Sequence, residues 1–299
     1  MSVYPLTTVQ QAVWIDQLLT PDTPCYNIGG VWEIHHQVEI KIFQQAIAEI
    51  MQQHDTLKFI LSETEQGIVQ SISHIHQMIF SHHDFSLSED ALNSGWKKLR
   101  QLFTQPFTLY DHLLWRCHVI KVSDNLSLLL LNAHHLITDG FSIALLSRLI
   151  FARYQQLLNG EPLTVLPTLA GYRDFIAYDR QYLASPRYQQ DRDFWLSRFA
   201  DIPPFALERR QGYSEETSWP SSQITRNLPL ARYQQLSDYA EHRGASVMHF
   251  MTALLACCLG RLWQVDEITL GLPILNRNGA RFKQTLGMFS SMIPLRLVL

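Results

Sequence analysis

The feature that most limits how this chain can fold is a pair of apolar runs, residues 113–122 and 126–133, separated only by Ser123-Asp124-Asn125. Runs of this length, rich in Leu, Val and Ile, suit interior strands, and the polar triplet bends the chain back, so the spacing predicts a buried hairpin. The second strand delivers the chain to His134. Beyond Gly140 the apolar period becomes helical: Leu146, Leu149, Ile150, Tyr154 and Leu157 share one face, and Gly160 stands just past the end. Residues 134–140 therefore form a loop that leads from an interior strand into a helix.

Elsewhere helical and strand signals alternate, which points to an α/β fold and away from a helix bundle or an all-β sandwich. Phe43, Ala46, Ile47, Ile50 and Met51 form one helical stripe. Leu92, Trp96, Leu99 and Phe103 form another, capped by Ser88 with Glu89 and Asp90 in its first turn. Short strands are expected over residues 56–61 and 78–80. The second half predicts two helices, the latter opened by Ser185 and Pro186, then a strand over 223–228, helices over 230–243 and 246–263, and a strand over 267–272. Residues 159–170, with Pro162 and Pro167, read as a linker, and residues 201–222, with Pro203, Pro204 and Pro220, as a surface excursion. The expected lobes are residues 1–168 and 169–299.

A chain of 299 residues with 46% hydrophobic content can bury a sizeable core, as one large domain or two lobes. Its net charge of -3 supplies no basic stripe for a phosphate backbone, so no nucleic-acid partner is expected. Residues 1–11 lack the cationic start and apolar core of a secretory signal, which implies a cytoplasmic protein. The stretch 247–263 contains His249 and Arg261 and reads as a buried helix, so no membrane partner is expected either. Cys25, Cys117, Cys257 and Cys258 lack metal-ligand spacing and sit in apolar contexts, which makes them small core residues.

The run His134-His135-Leu136-Ile137-Thr138-Asp139-Gly140 is the candidate for chemistry. Histidine pairs alone carry little, because the chain has 13 histidines and also contains His35-His36 and His82-His83. Asp and Gly at fixed offsets make the run far more specific. A histidine leaving a buried strand can be held rigidly while its ring reaches into a cleft. Asp139 can turn back to fix the loop. Gly140 lets the backbone pass close by and start the next helix, which places free amides near a developing oxyanion. A neutral imidazole there could orient or deprotonate an attacking amine. The spacing equally fits a capped loop with core histidines. No Gly-x-Ser-x-Gly elbow, Gly-x-x-x-x-Gly-Lys loop or Gly-x-Gly-x-x-Gly turn is present, which removes support for hydrolase, nucleotide-binding and Rossmann readings. His74, His76, His82, His83 and Asp84 could ligate zinc but also suit an exposed strand, and no metal site is expected.

Taken in order, these residues resemble the condensation domains of nonribosomal peptide synthetases, a branch of the chloramphenicol acetyltransferase-like superfamily. Residues 5–14, Pro-Leu-Thr-Thr-Val-Gln-Gln-Ala-Val-Trp, are similar to the family's first motif, and Gln53-His54-Asp55-Thr56-Leu57-Lys58 to its second. His134 to Gly140 followed by Phe141-Ser142 matches the third, and Tyr172-Arg173-Asp174-Phe175 resembles the fourth. Leu286-Gly287-Met288-Phe289 with Pro294-Leu295-Arg296 resembles the fifth, with Ser291 where an Asn is usual.

The resemblance implies two acetyltransferase-like lobes in a V shape around an active-site tunnel, the second lobe incomplete because the family's later motifs have no counterpart. It implies His135 as the catalytic histidine, His134 and Asp139 as holders of the loop, and Arg277 as the partner of Asp139 across the lobes. No cofactor is bound directly. The phosphopantetheine arms of two partner carrier proteins bring in the acyl donor and the acceptor amine. The presence of both histidines favours simple amide formation over heterocyclisation, and a first motif so near Met1 implies a donor carrier in trans, with the acceptor carrier downstream or in trans. The opening also resembles a subgroup from catechol-siderophore assembly. Two other readings stay open: a non-catalytic remnant that docks carrier proteins, and a free-standing acyltransferase that uses a soluble amine.

Overall fold

The computed structural model describes residues 2–65, 67–73, 79–162, 170–201, 224–277 and 279–299. In chain order the elements are β1 (Val3–Pro5), α1 (Thr8–Leu19), β2 (Asn27–Ile34), α2 (Ile40–Gln53), β3 (Phe59–Thr64), β4 (Gly67–Ile72), β5 (Ile79–Asp84), α3 (Ala91–Phe103), β6 (Trp115–Ser123), β7 (Leu126–His134) and α4 (Gly140–Leu158). They continue with α5 (Tyr172–Leu183), α6 (Pro186–Arg198), α7 (Leu230–Glu241), α8 (Val247–Trp263), β8 (Glu267–Ile274) and β9 (Ser291–Val298). Helices and strands both contribute throughout, as an α/β fold requires.

The described chain divides into two compact units. The first is Met1–Tyr188 with Leu275–Ser291, and the second is Gln189–Ile274 with Met292–Leu299. The units do not follow the division expected after residue 168. Tyr172, Phe175 and Ile176 of α5 join a buried cluster with Phe59, Phe282 and Phe289, so apolar burial holds both α5 and the 275–291 segment in the first unit.

In that unit the hairpin β6–β7 forms as the two apolar runs predict, at the middle of a sheet ordered β2-β7-β6-β5. Neighbours are antiparallel except β5 and β6, which run parallel. Side chains alternate along a strand, so the hairpin feeds two layers. Trp115, Cys117, Val119, Leu129, Leu131 and Ala133 meet Phe43, Ala46, Ile47 and Ile50 of α2 and Leu146 and Ile150 of α4. Ile120, Val122, Leu128 and Leu130 meet Leu99 and Leu102 of α3. The expected α2 stripe is buried in full. A second, antiparallel sheet has the order β1-β4-β3.

Several expectations need correction. The buried face of α3 is Gly95, Leu99 and Leu102, and Leu92 is 46% exposed. Gly95 allows the helix to rest directly on Ile120, Val122 and Leu128, which turns Leu92 outward. Its cap is Asp90, two residues past the expected Ser88, and its side chain accepts from the Asn93 amide, because the helix starts only at Ala91. Of the strand expected over 56–61, residues 59–61 belong to β3, while 56–58 lie in a 3-10 turn, Asp55–Lys58. Residues 224–228 hold no strand, and residue 223 lies outside the described residues.

In the second unit α7 ends before Gly244, whose φ of 67° suits glycine, and α8 is capped by Ser246. The two-stranded sheet β8-β9 completes the unit's elements. The expectation of a buried 247–263 helix fails here: only Ala256 and Gly260 of α8 are buried, while Met251 and Leu255 are about half exposed. Cys257 and Cys258 are exposed with it, as is Cys25, and Cys117 alone among the cysteines is a core residue. No helix among the described residues is long and apolar enough to cross a membrane.

Candidate active site

All the site residues singled out above fall in the first unit. His134 ends β7 and is 1% exposed. Its Nδ1 accepts from the Leu136 amide (3.1 Å), so its proton sits on Nε2 and points to Gln17 Oε1 at 3.1 Å. Burial pushes its pKa down to about 3, and the neighbouring His135 adds to the effect. His134 is thus a neutral strut.

His118 of β6 is likewise pushed down to about 4, first by burial and then by Arg116. Each ring stays neutral in the folded chain while the unfolded chain takes up a proton below an ordinary histidine pKa of about 6.5. The folded-state pKa values are depressed, so this stability is fully present above about pH 6.5 and is lost as pH falls toward the folded values. Thermal melting is expected at progressively lower temperature from pH 7 to pH 4, with a flatter decline in a His118→Gln, His134→Gln double variant. An equal slope in both proteins would count against these two rings.

His135 is half-buried. Its amide donates to the Tyr26 carbonyl (2.8 Å), and the Tyr26 ring stands edge-on to the imidazole. Its Nδ1 lies 3.1 Å from Met288 Sδ. The carbonyls of the next two residues are tied down from elsewhere: Gln10 Nε2 donates to Leu136 O (2.8 Å) and Thr56 Oγ1 to Ile137 O (3.0 Å).

Asp139 is 0% exposed and caps α4 by accepting from the Ser142 amide at 2.7 Å. It also accepts from the amides of Phe289 (3.1 Å) and Ser290 (3.2 Å), and Arg277 Nη2 bridges both its oxygens at 3.1 and 3.3 Å. Both members of this ion pair belong to the first unit, so the pair is internal to it and not a link across lobes. Arg277 further donates to the carbonyls of Phe282 (3.0 Å) and Thr285 (2.6 Å) and lies over the rings of Phe289 and Phe141. Burial lowers the pKa of its guanidinium and Asp139 opposes that shift.

Gly140 starts α4 and is exposed. No close backbone passage occurs there: a Cβ on Gly140 would meet no atom within 4 Å. Its amide and that of Phe141 carry no hydrogen bond to a described residue, as expected at the first two positions of a helix. The glycine therefore keeps open space beside two unpaired donors.

Three segments with no role assigned from spacing complete the loop's support. Asp55 caps α5 from a distance, accepting from the amides of Tyr172 (2.9 Å) and Arg173 (3.0 Å). The Tyr172 hydroxyl, kept protonated because burial pushes its pKa up, donates to Met288 O at 2.6 Å. Ser142 Oγ donates to Gly287 O (2.8 Å) and accepts from Gly287 N (3.1 Å) and Arg277 Nη2 (2.6 Å), which uses its full hydrogen-bonding capacity. The visible signal for these residues was their place in the quoted motifs: Asp55 in the second, Ser142 directly after the third, Tyr172 in the fourth and Gly287 in the fifth.

Gly287 has φ of 156°, and an added Cβ would overlap the Tyr172 ring. Gly287→Ala is expected to destabilise the first unit by about 1–3 kcal/mol, the usual scale for overpacking a tight site. Denaturant titration checks this; an unchanged midpoint would rule out the close packing described.

The zinc candidates among the described residues form no metal-binding group. His74 and His76 lie outside the described residues, the His83 ring meets Ser81, and Asp84 binds Ser86. Among the described residues no group of three His, Cys, Asp or Glu could hold a metal ion.

A family model described as condensation domain matches residues 1–299. Surfactin synthase subunit 1 of Bacillus subtilis (strain 168) is 29% identical over 301 residues, covering 99% of this chain and 8% of that protein. The dimodular nonribosomal peptide synthase of the same organism is 26% identical over 295 residues, covering 98% of this chain and 12% of that protein. The chain thus spans about a tenth of the length of such curated relatives. Among solved structures, the first condensation domain of the calcium-dependent antibiotic synthetase in complex with a substrate analogue superposes with a TM-score of 0.84 at 26% identity, over all of this chain and 70% of that one. A mutant starter condensation domain of rhizomide synthetase in complex with C8-CoA gives 0.82 at 25% identity, over all of this chain and 67% of that one.

Proposed function

The chain belongs to the condensation-domain family, and on that premise we propose that it joins a carrier-bound acyl donor to a carrier-bound acceptor amine in nonribosomal peptide synthesis. The observation that carries the reading is the half-buried ring of His135 on the same short loop as two unpaired amides beside open space at Gly140.

In this reading the acceptor amine attacks the thioester carbonyl carbon, and its nitrogen passes a proton to the free nitrogen of His135 as the C–N bond forms. The carbonyl oxygen becomes an oxyanion near the Gly140 and Phe141 amides, where the positive end of α4 favours negative charge. Collapse breaks the C–S bond, and the departing carrier thiolate takes the proton back. The products are an amide on the acceptor carrier and a free thiol on the donor carrier. His134, Asp139 and Arg277 act by fixing the loop. Both phosphopantetheine arms belong to the partner carrier proteins.

Two separately loaded carrier proteins test this, with each carrier's intact mass read before and after incubation. Transfer of the donor's mass to the acceptor supports the reaction. Carrier binding without transfer favours a docking role, and equal transfer to a soluble amine favours a free-standing acyltransferase.

A further inference from the structure

We propose that Met288 is a positioning residue that selects the tautomer of His135, holding the proton on Nδ1 and leaving the Nε2 lone pair free to act as base. The inference gives a mechanistic use to the function proposed above, but its first test does not depend on that function. A thioether has lone pairs and no hydrogen to give, so it can only accept. With Sδ 3.1 Å from Nδ1, the contact is a hydrogen bond only when Nδ1 is the donor. In water a neutral imidazole prefers its proton on Nε2, so the thioether works against the ring's own preference.

The sulfur can do this because its backbone is fixed. Met288 is 6% exposed, its carbonyl receives the Tyr172 hydroxyl, and the flanking Gly287 and Phe289 are bound to Ser142 and Asp139. The other end is equally constrained, because the His135 amide is tied to Tyr26 O. His134 provides an internal contrast. Its Nδ1 accepts from the Leu136 amide, so two successive histidines are held in opposite tautomers. One becomes a strut with no basic nitrogen to offer, and the other a base whose lone pair is directed away from its support.

Long-range proton–nitrogen correlation spectra of the full chain labelled with 15N-histidine test the assignment, with His135 identified by the signals lost in His135→Gln. The expected spectrum has a protonated Nδ1 and a bare Nε2 on His135, and the reverse on His134. Met288→Leu keeps the volume and removes the acceptor. It is expected to shift His135 toward the Nε2–H form and to lower kcat on the order of tenfold with KM unchanged. A proton on Nε2 in the unsubstituted chain, a doubly protonated ring at neutral pH, or a tautomer and kcat unaffected by Met288→Leu would overturn the proposal. The expected spectra from a chain that forms no amide would support the tautomer assignment and remove only the proposed reaction.

Discussion

Amide formation by a His135→Ala variant is expected to run about a hundredfold to ten-thousandfold slower than by the unsubstituted chain, the range that a positioned general base commonly supplies. The ring is half-buried and anchored through its backbone and one edge, so its removal leaves the surrounding loop bonds to Gln10, Thr56 and Asp139 in place. The loss is therefore expected in kcat, with carrier binding and melting temperature little changed. His134→Gln should behave differently: the Gln17 contact and the Leu136 support are structural, so stability falls along with rate. Turnover by His135→Ala within a few-fold of the unsubstituted chain would take the imidazole out of the mechanism.

Asp139→Ala is expected to cost about 3–5 kcal/mol, because removing one member of a buried pair leaves its partner charged and uncompensated. The partner here is Arg277, only 3% exposed on its side chain. The same substitution uncaps α4 and strands the amides of Phe289 and Ser290. Against a typical total of about 5–15 kcal/mol, such a loss brings the fold close to failure. Adding Arg277→Met removes the stranded charge, and the double variant is expected to recover part of the loss. Denaturant midpoints for the two single variants and the double give the coupling energy. A single-variant cost below about 1 kcal/mol, or strict additivity, would contradict a tightly coupled buried pair.

How far the chain could be read without coordinates depended on the range of the interaction. The β6–β7 hairpin and the α2 stripe were legible because local pattern and burial agree: a continuous apolar run where both strand faces are covered, and every third to fourth residue where one helix face is. Of the expected α3 stripe, Leu99 is buried and Trp96 and Phe103 pack against the same cluster; Leu92 was misplaced because Gly95, which carries no hydropathy signal, is the residue that touches Ile120 and Val122. Residues 56–61 look like a strand by composition, and 59–61 do open β3, but Asp55 spends its carboxylate on a helix 117 and 118 residues away and residues 55–58 turn. The spacing of His134, His135, Asp139 and Gly140 marked the loop. Nothing local indicates that Asp139 meets Arg277, Phe289 and Ser290; the Arg277 pair came only from family resemblance, and the two amide contacts were not foreseen. Met288 was visible solely as a position within a motif, because a thioether reads as core until an imidazole nitrogen is found beside it.

The 275–291 segment ties this loop to events during synthesis. The groups that satisfy Asp139 lie 138, 150 and 151 residues further along the chain. At about 5–20 residues per second, a ribosome leaves the new carboxylate waiting roughly 7 to 30 seconds for them. The β2-β7-β6-β5 sheet and the loop's bonds to Gln10, Tyr26 and Thr56 can form in that interval, while those of Asp139 to Arg277, Phe289 and Ser290 cannot. Full bonding of Asp139 is thus a late step in the life of the nascent chain, and a pause in translation between residues 140 and 290 would prolong the time for which its carboxylate lacks these partners.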